Sequence, residues 1–158
     1  MSALHPNVSR VVAAAAERGL DIRTQQFPDG TKTAADAAVA IGVEVGAIVK
    51  SLIFAVDDEV VVAYVSGANQ VDEAELALLA GGASCRRVDA ETVRRATGYP
   101  IGGVPPFGHA EEHPVFVDED LLGHDEVWAA AGTWHDVFAI APADLVRASG
   151  ATVARLKR

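Results

Sequence analysis

Lys50 is the only charged residue between Glu44 and Asp57. It sits in Val49-Lys50-Ser51-Leu52-Ile53-Phe54, a run that is otherwise nearly all apolar. A lysine in such a run has two options. Its stem snorkels and leaves the ammonium in water, or the ammonium reaches a partner across a pocket. In the second case it is a cation held at a cleft, able to bind a phosphate or an oxyanion. The second stretch is Gly98-Tyr99-Pro100-Ile101-Gly102-Gly103-Val104-Pro105-Pro106-Phe107-Gly108-His109, with four glycines and three prolines in twelve residues. Glycine allows positive φ and close approach of a ligand to the main chain, and proline stiffens the path. Such a loop either makes a tight crossing between two elements or aims backbone N–H groups at an anion or a polarised carbonyl.

The remaining reactive side chains carry less. Cys85 is the only cysteine and stands beside Arg86-Arg87; it reads as a structural thiol. Ser66, in Val65-Ser66-Gly67, has no histidine placed by sequence to activate it and reads first as a strand-end turn residue. His109 and His113 flank Glu111-Glu112, but in a Gly/Pro-bounded segment rather than on a helix, so no metal site is expected. His135, after Gly132-Thr133-Trp134, is either a loop histidine or a substrate contact. Trp134 is a rim aromatic or a stacking platform for a base. Arg86, Arg87, Arg94 and Arg95 form either a solvated face or a local basic patch.

The elements that must position these groups are short. Helices are expected over Val8–Arg18 with Asn7 as cap, from Thr33 to Ile41 ending at Gly42, over Asp72–Leu79, over Asp89–Ala96 stopped by Gly98, and over Pro142–Ser149. Val45–Ile48 and Asp118–Leu122 suit single helical turns. Strands are expected over Asp21–Phe27, Ser84–Val88, Pro114–Val117 and Thr152–Leu156. Two hairpins are expected, Ser51–Val56 with Val60–Val65 and Val127–Ala131 with Val137–Ala141. Paired strands with short helices between them argue for α+β: a compact single domain, residues 1–158, around a curved mixed or antiparallel sheet with short flanking helices. No G-x-G-x-x-G or G-x-x-x-x-G-K-[ST] motif is present, and no cofactor is expected.

Half of the 158 residues are hydrophobic and the net charge is −9. That field opposes broad binding to nucleic acid, DNA included, but not capture of one end through a few phosphates. The acids gather in Asp57-Asp58-Glu59, Asp72-Glu73-Glu75 and Asp118-Glu119-Asp120. These runs suit solvated turns and helix starts. There is no membrane-spanning run, Met1–Arg10 lacks a signal-peptide pattern, and the lone thiol suits a reducing compartment, so a cytoplasmic location and no membrane partner are expected.

Val-Lys-Ser-Leu-Ile-Phe at 49–54, followed some fifty residues later by Gly98-Tyr99 and Gly102-Gly103-Val104-Pro105-Pro106-Phe107-Gly108, resembles the YbaK/ProX family. That family comprises the editing domain of bacterial prolyl-tRNA synthetases and its freestanding relatives. The similarity runs from Phe27 through Thr33–Ala38 to Pro142–Leu145. It implies an aminoacyl-tRNA deacylase that hydrolyses the ester of a mischarged tRNA in trans, with a small amino acid such as Ala or Cys on tRNA(Pro) or a related tRNA. The implied catalytic groups are Lys50 with Gly102 and Gly103. Gly102 and Pro106 would be the ends of the family's G-x-x-x-P loop. Substrate contacts are expected from Phe27, Thr31, Thr33, Ser66, Val104, Pro105, Pro106, Phe107 and His135. The expected partner is the acylated tRNA end, with an aminoacyl-tRNA synthetase as a further one. Two other functions fit the same residues: a non-catalytic module that binds aminoacyl-tRNA or an amino acid, and a hydrolase of another small ester.

Overall fold

The computed structural model describes residues 4–158; of the N-terminal reading, Met1 to Ala3 lie outside the described residues. Among the described residues, five helices and eight strands follow one another as α1 (Pro6–Glu17), β1 (Thr24–Gln26), α2 (Ala34–Ile41), β2 (Val49–Val56), β3 (Glu59–Ser66), α3 (Glu73–Leu79), β4 (Cys85–Arg87), α4 (Ala90–Thr97), β5 (Val115–Asp118), β6 (Val127–Ala130), β7 (Asp136–Ile140), α5 (Pro142–Ser149) and β8 (Thr152–Ala154). Two 3-10 turns, Val45–Ala47 and Glu119–Gly123, precede β2 and follow β5.

The strands divide between two sheets. One has five strands in the order β4-β2-β3-β5-β8, and the other has three in the order β1-β7-β6. The larger sheet is mixed: β2 pairs antiparallel with β3 and β4, whereas β3–β5 and β5–β8 are parallel. A single parallel bridge, Ile48 to Trp128, joins the sheets where β2 begins. Lys50 is therefore the second residue of β2, beside the seam between the sheets.

Both faces of the larger sheet are covered, which is why β2 and β3 read as unbroken apolar runs. Val49, Ile53, Val62 and Tyr64 face the main core, with α1, α5, Tyr99, Val104, Phe107 and Phe138. Phe54, Val56, Val61, Ala63 and Val65 face the second, under Leu76 and Leu156. A small third cluster of Ala37, Ala38 and Ile48 seats α2 at the seam.

Local chemistry sets the ends of these elements. Thr33 caps α2 by accepting from Asp36 N at 3.0 Å, and Gly42 closes the helix at φ 86°. Asp89 caps α4 through Thr92 N, and Gly98 ends it at φ 84°. Helix α1 departs from expectation. It starts at Pro6, and its cap is His5, whose Nδ1 accepts from Asn7 N at 3.0 Å. Proline fits the first helical position because its missing N–H has no helical partner to lose. Asn7 instead lies within the helix, and its side-chain amide donates to Gly132 O at 2.9 Å. Strand β1 is three residues long rather than seven, because only Thr24–Gln26 face partners on β7.

Candidate active site

A cavity of about 450 Å³ opens at the seam between the sheets, within the size range of small-ligand sites. Its walls come from several elements, α2 among them with Ala34, Ala37 and Ile41. Strand β2 gives Val49, Lys50, Ser51 and Leu52; the segment entering α2 gives Thr31, Lys32 and Thr33; the glycine loop gives Ile101, Gly102 and Val104; strands β6 and β7 give Trp128, Ala129, Ala130 and Val137. Arg87 reaches it from β4. Lys50 and Gly102, far apart in sequence, thus line one space.

The Lys50 ammonium donates to the Asn69 main-chain carbonyl. Burial lowers its pKa below the usual lysine value, and Arg87 adds to this by repulsion, while the Asp118 carboxylate partly restores it. Three cations line the cavity, Lys32, Lys50 and Arg87, and none of its described lining residues is a carboxylate. In a protein of net charge −9 this is a local inversion of the field. Lys32 Nζ lies 4.0 Å from the centroid of the Trp134 ring, and Arg87 lies over Phe54 with its guanidinium carbon 5.6 Å from the ring centroid. Both contacts hold cations on aromatic faces without consuming their charge.

Gly102 sits at φ 82°, and a Cβ there would lie 2.8 Å from Lys32 Cγ. Its conformation and its neighbours both demand glycine. The Gly102 N–H makes no hydrogen bond among the described residues, whereas Gly103 N donates to Pro100 O at 2.9 Å and closes the turn. Of the two glycines, Gly102 is thus the one whose N–H remains available at the cavity wall. The far end of the loop is anchored inward. His109 Nε2 lies 2.6 Å from Pro105 O. Burial holds that imidazole below the ordinary histidine range, and His113 and Arg18 push the same way, against the hydrogen bond to Pro105.

Thr31, Thr33 and Val104 join Lys50 and Gly102 at the cavity. Thr31 is buried, and its hydroxyl donates to Trp134 O at 3.1 Å. Gly103, Pro105, Pro106 and Phe107 are buried behind the wall. Phe107 is a core residue, packed on Phe138 with ring centroids 5.9 Å apart. Ser66 also lies behind the wall, with its hydroxyl donating to Gly46 O at 2.8 Å. Phe27 and His135 are not among the cavity's lining residues and tie β1 to the β6–β7 turn: Phe27 N donates to His135 O at 2.8 Å, and His135 Nδ1 lies 3.1 Å from Phe27 O. Of the four arginines, Arg87 alone reaches the cavity; Arg86, Arg94 and Arg95 are exposed elsewhere.

Sequence reasoning missed Lys32 and Ser51. Ser51 Oγ is buried at the cavity wall with no hydrogen-bond partner among the described residues. Its signal was adjacency to Lys50, and that of Lys32 was its place between Thr31 and Thr33.

Residues 28–148 match the family model described as the aminoacyl-tRNA editing domain. The uncharacterized protein YwhH of Bacillus subtilis is 31% identical over 121 residues, 76% of each chain. The proline–tRNA ligase of Maridesulfovibrio salexigens is 34% identical over 107 residues, 68% of this chain but only 18% of the ligase. The chain thus matches about a fifth of the ligase's length. A crystal structure of a candidate trans-editing enzyme for prolyl-tRNA synthetase superposes with a TM-score of 0.92 at 44% identity, covering 99% of both chains. A second solved structure, of a hypothetical protein, gives 0.86 at 32% identity over 94% of this chain and 99% of that one. By its sequence and its fold, the chain belongs to the aminoacyl-tRNA editing domain family.

Proposed function

We propose that the whole chain, residues 1–158, is an editing domain acting in trans, which hydrolyses the ester of a mischarged tRNA, with a small amino acid such as Ala or Cys on tRNA(Pro) as substrate. The observation that carries this is that Lys50 and Gly102, whose N–H has no partner among the described residues, line one cavity with three cations and no described carboxylate.

An aminoacyl ester is already activated, so its hydrolysis needs placement and stabilisation of charge more than a strong nucleophile. Water adds to the ester carbonyl carbon and gives up a proton. The carbonyl oxygen takes the negative charge, with the Gly102 N–H as its donor. The tetrahedral intermediate then collapses, the bond to the ribose oxygen breaks, and that oxygen is protonated. The products are the amino acid and tRNA with a free terminal hydroxyl. Lys50, Arg87 and Lys32 supply the positive field for the terminal phosphate and the developing oxyanion. The neighbouring ribose hydroxyl can assist the proton transfers. The apolar remainder of the wall, Val49, Val104, Ala129 and Val137, selects by volume, where one methylene is worth about 1–3 kcal/mol.

The test compares turnover of alanyl- and cysteinyl-tRNA(Pro) with that of free amino-acid esters. Fast hydrolysis of the charged tRNAs and slow hydrolysis of the free esters supports the reading. Equal hydrolysis of both assigns a general esterase. Tight binding of charged tRNA without hydrolysis assigns a recognition module.

A further inference from the structure

The contacts that hold Lys50 extend away from the cavity into a half-buried polar network centred on the buried Asp118. Asn69 O takes the ammonium, and Asn69 N donates to Ser66 O at 2.9 Å. The Asn69 side-chain amide donates at 2.8 Å to Asp118 Oδ2 and at 2.8 Å to Asp120 Oδ2. Asp118 is fully buried. Its carboxylate accepts three donors: Ser66 N at 3.1 Å, the Asn69 amide, and Asp120 N at 3.0 Å. Outside it, Lys157 Nζ donates to Asp120 Oδ2 at 2.8 Å.

We infer that Asp118 and Asn69 are positioning residues for Lys50: the buried carboxylate fixes the Asn69 loop, and the loop's carbonyl holds the ammonium at the cavity. This rests on the deacylase reading for its consequence, though not for its geometry. A buried carboxylate costs free energy unless several donors satisfy it, and here the donors come from the loop that carries Asn69 O and from the start of the 3-10 turn. Ser66 Oγ bonds Gly46 O and accepts from Ala68 N, which ties down the start of the same loop. The acid adds charge. The charged groups acting on Lys50 are Arg87 from β4 and Asp118 from β5. Arg87 favours the neutral amine and Asp118 the ammonium, so Asp118 offsets part of the lowering that burial and Arg87 impose on Lys50.

The test uses the full chain, with Asp118→Asn and Asn69→Ala as variants. The ¹³Cε resonance of Lys50, assigned by its loss in Lys50→Arg, is titrated, and single-turnover deacylation of alanyl-tRNA(Pro) is measured. In Asp118→Asn the Lys50 titration is expected to move to lower pH, with deacylation slowed roughly tenfold or more. Asn69→Ala keeps the buried charge but loosens the loop. It is expected to slow the chemical step roughly tenfold with KM within about twofold, and to leave the Lys50 titration near wild type. A Lys50 titration unmoved in folded Asp118→Asn overturns the inference. Should that variant fail to fold, unchanged deacylation by Asn69→Ala overturns it. A Lys50 titration moved in Asp118→Asn, together with a wild-type protein that deacylates nothing, upholds the positioning and sinks the deacylase reading instead.

Discussion

Burial favours the neutral form of both Lys50 and Cys85, with opposite consequences for their chemistry. Cys85 is pushed up to about 11 by burial and by the nearby Glu73 charge, so it stays a thiol at neutral pH and is a poor nucleophile. Cys85→Ala is therefore expected to keep single-turnover deacylation within a few-fold of wild type. A dead but folded variant, or an acyl group trapped on Cys85, would move the chemistry to that thiol. Lys50 is pushed down, so its ammonium is lost before pH reaches the ordinary lysine value of 10.5. The cation is the working form and predominates below the folded pKa, so the enzyme-dependent rate falls as pH rises through it. After subtraction of spontaneous ester hydrolysis, the rate is expected to show an alkaline limb centred below 10.5, absent in Lys50→Ala. A flat profile up to that pH would argue against a cationic role.

At the scale of elements, the glycine loop makes the sharpest demand. Gly102 combines φ 82° with a neighbour 2.8 Å from any added Cβ. The left-handed conformation alone costs a non-glycine residue about 1–2 kcal/mol. Gly102→Ala is expected to lower stability by about that amount, measured by denaturant unfolding, and to slow deacylation by more than the stability loss explains. Gly123→Ala, with nothing within 4 Å of its added Cβ, is the neutral control. This loop was legible in the sequence because its composition is unusual, as was Lys50 because it stands alone in an apolar run. Helices α2, α4 and α5 were legible for a similar reason, since Thr33, Asp89, Pro142, Gly42, Gly98 and Gly150 act on the backbone next to them. Other features depend on distant partners. The parallel pairing of β3 with β5 leaves no local mark. Arg87 faces the cavity because Phe54 is its partner across β2 and β4, and Lys32 and Ser51 are ordinary residue types until the sheets meet. Ser66, Phe107 and His135 are polar or aromatic residues near the right motifs, yet packing and main-chain bonds use them elsewhere.

The molecule is acidic overall and carries a basic recess among its described residues. Its charge of −9 repels nucleic acid at long range, while Lys32, Lys50 and Arg87 attract at the cavity. Binding to a charged tRNA end is therefore expected to depend only weakly on salt, with on the order of two or three counterions released. Arg87→Ala is expected to reduce that count by about one. A log–log slope typical of eight or so phosphate contacts would reveal a basic surface beyond the cavity. The central claim is that this recess is a hydrolytic site whose cation is Lys50. Its most direct test is single-turnover hydrolysis of alanyl-tRNA(Pro) by wild type and Lys50→Ala, with circular dichroism as the folding control. The account predicts rapid hydrolysis by wild type and a loss of about a hundredfold or more in the folded variant, the usual effect of removing an electrostatic stabiliser from a transition state. Hydrolysis by folded Lys50→Ala at the wild-type rate would contradict it.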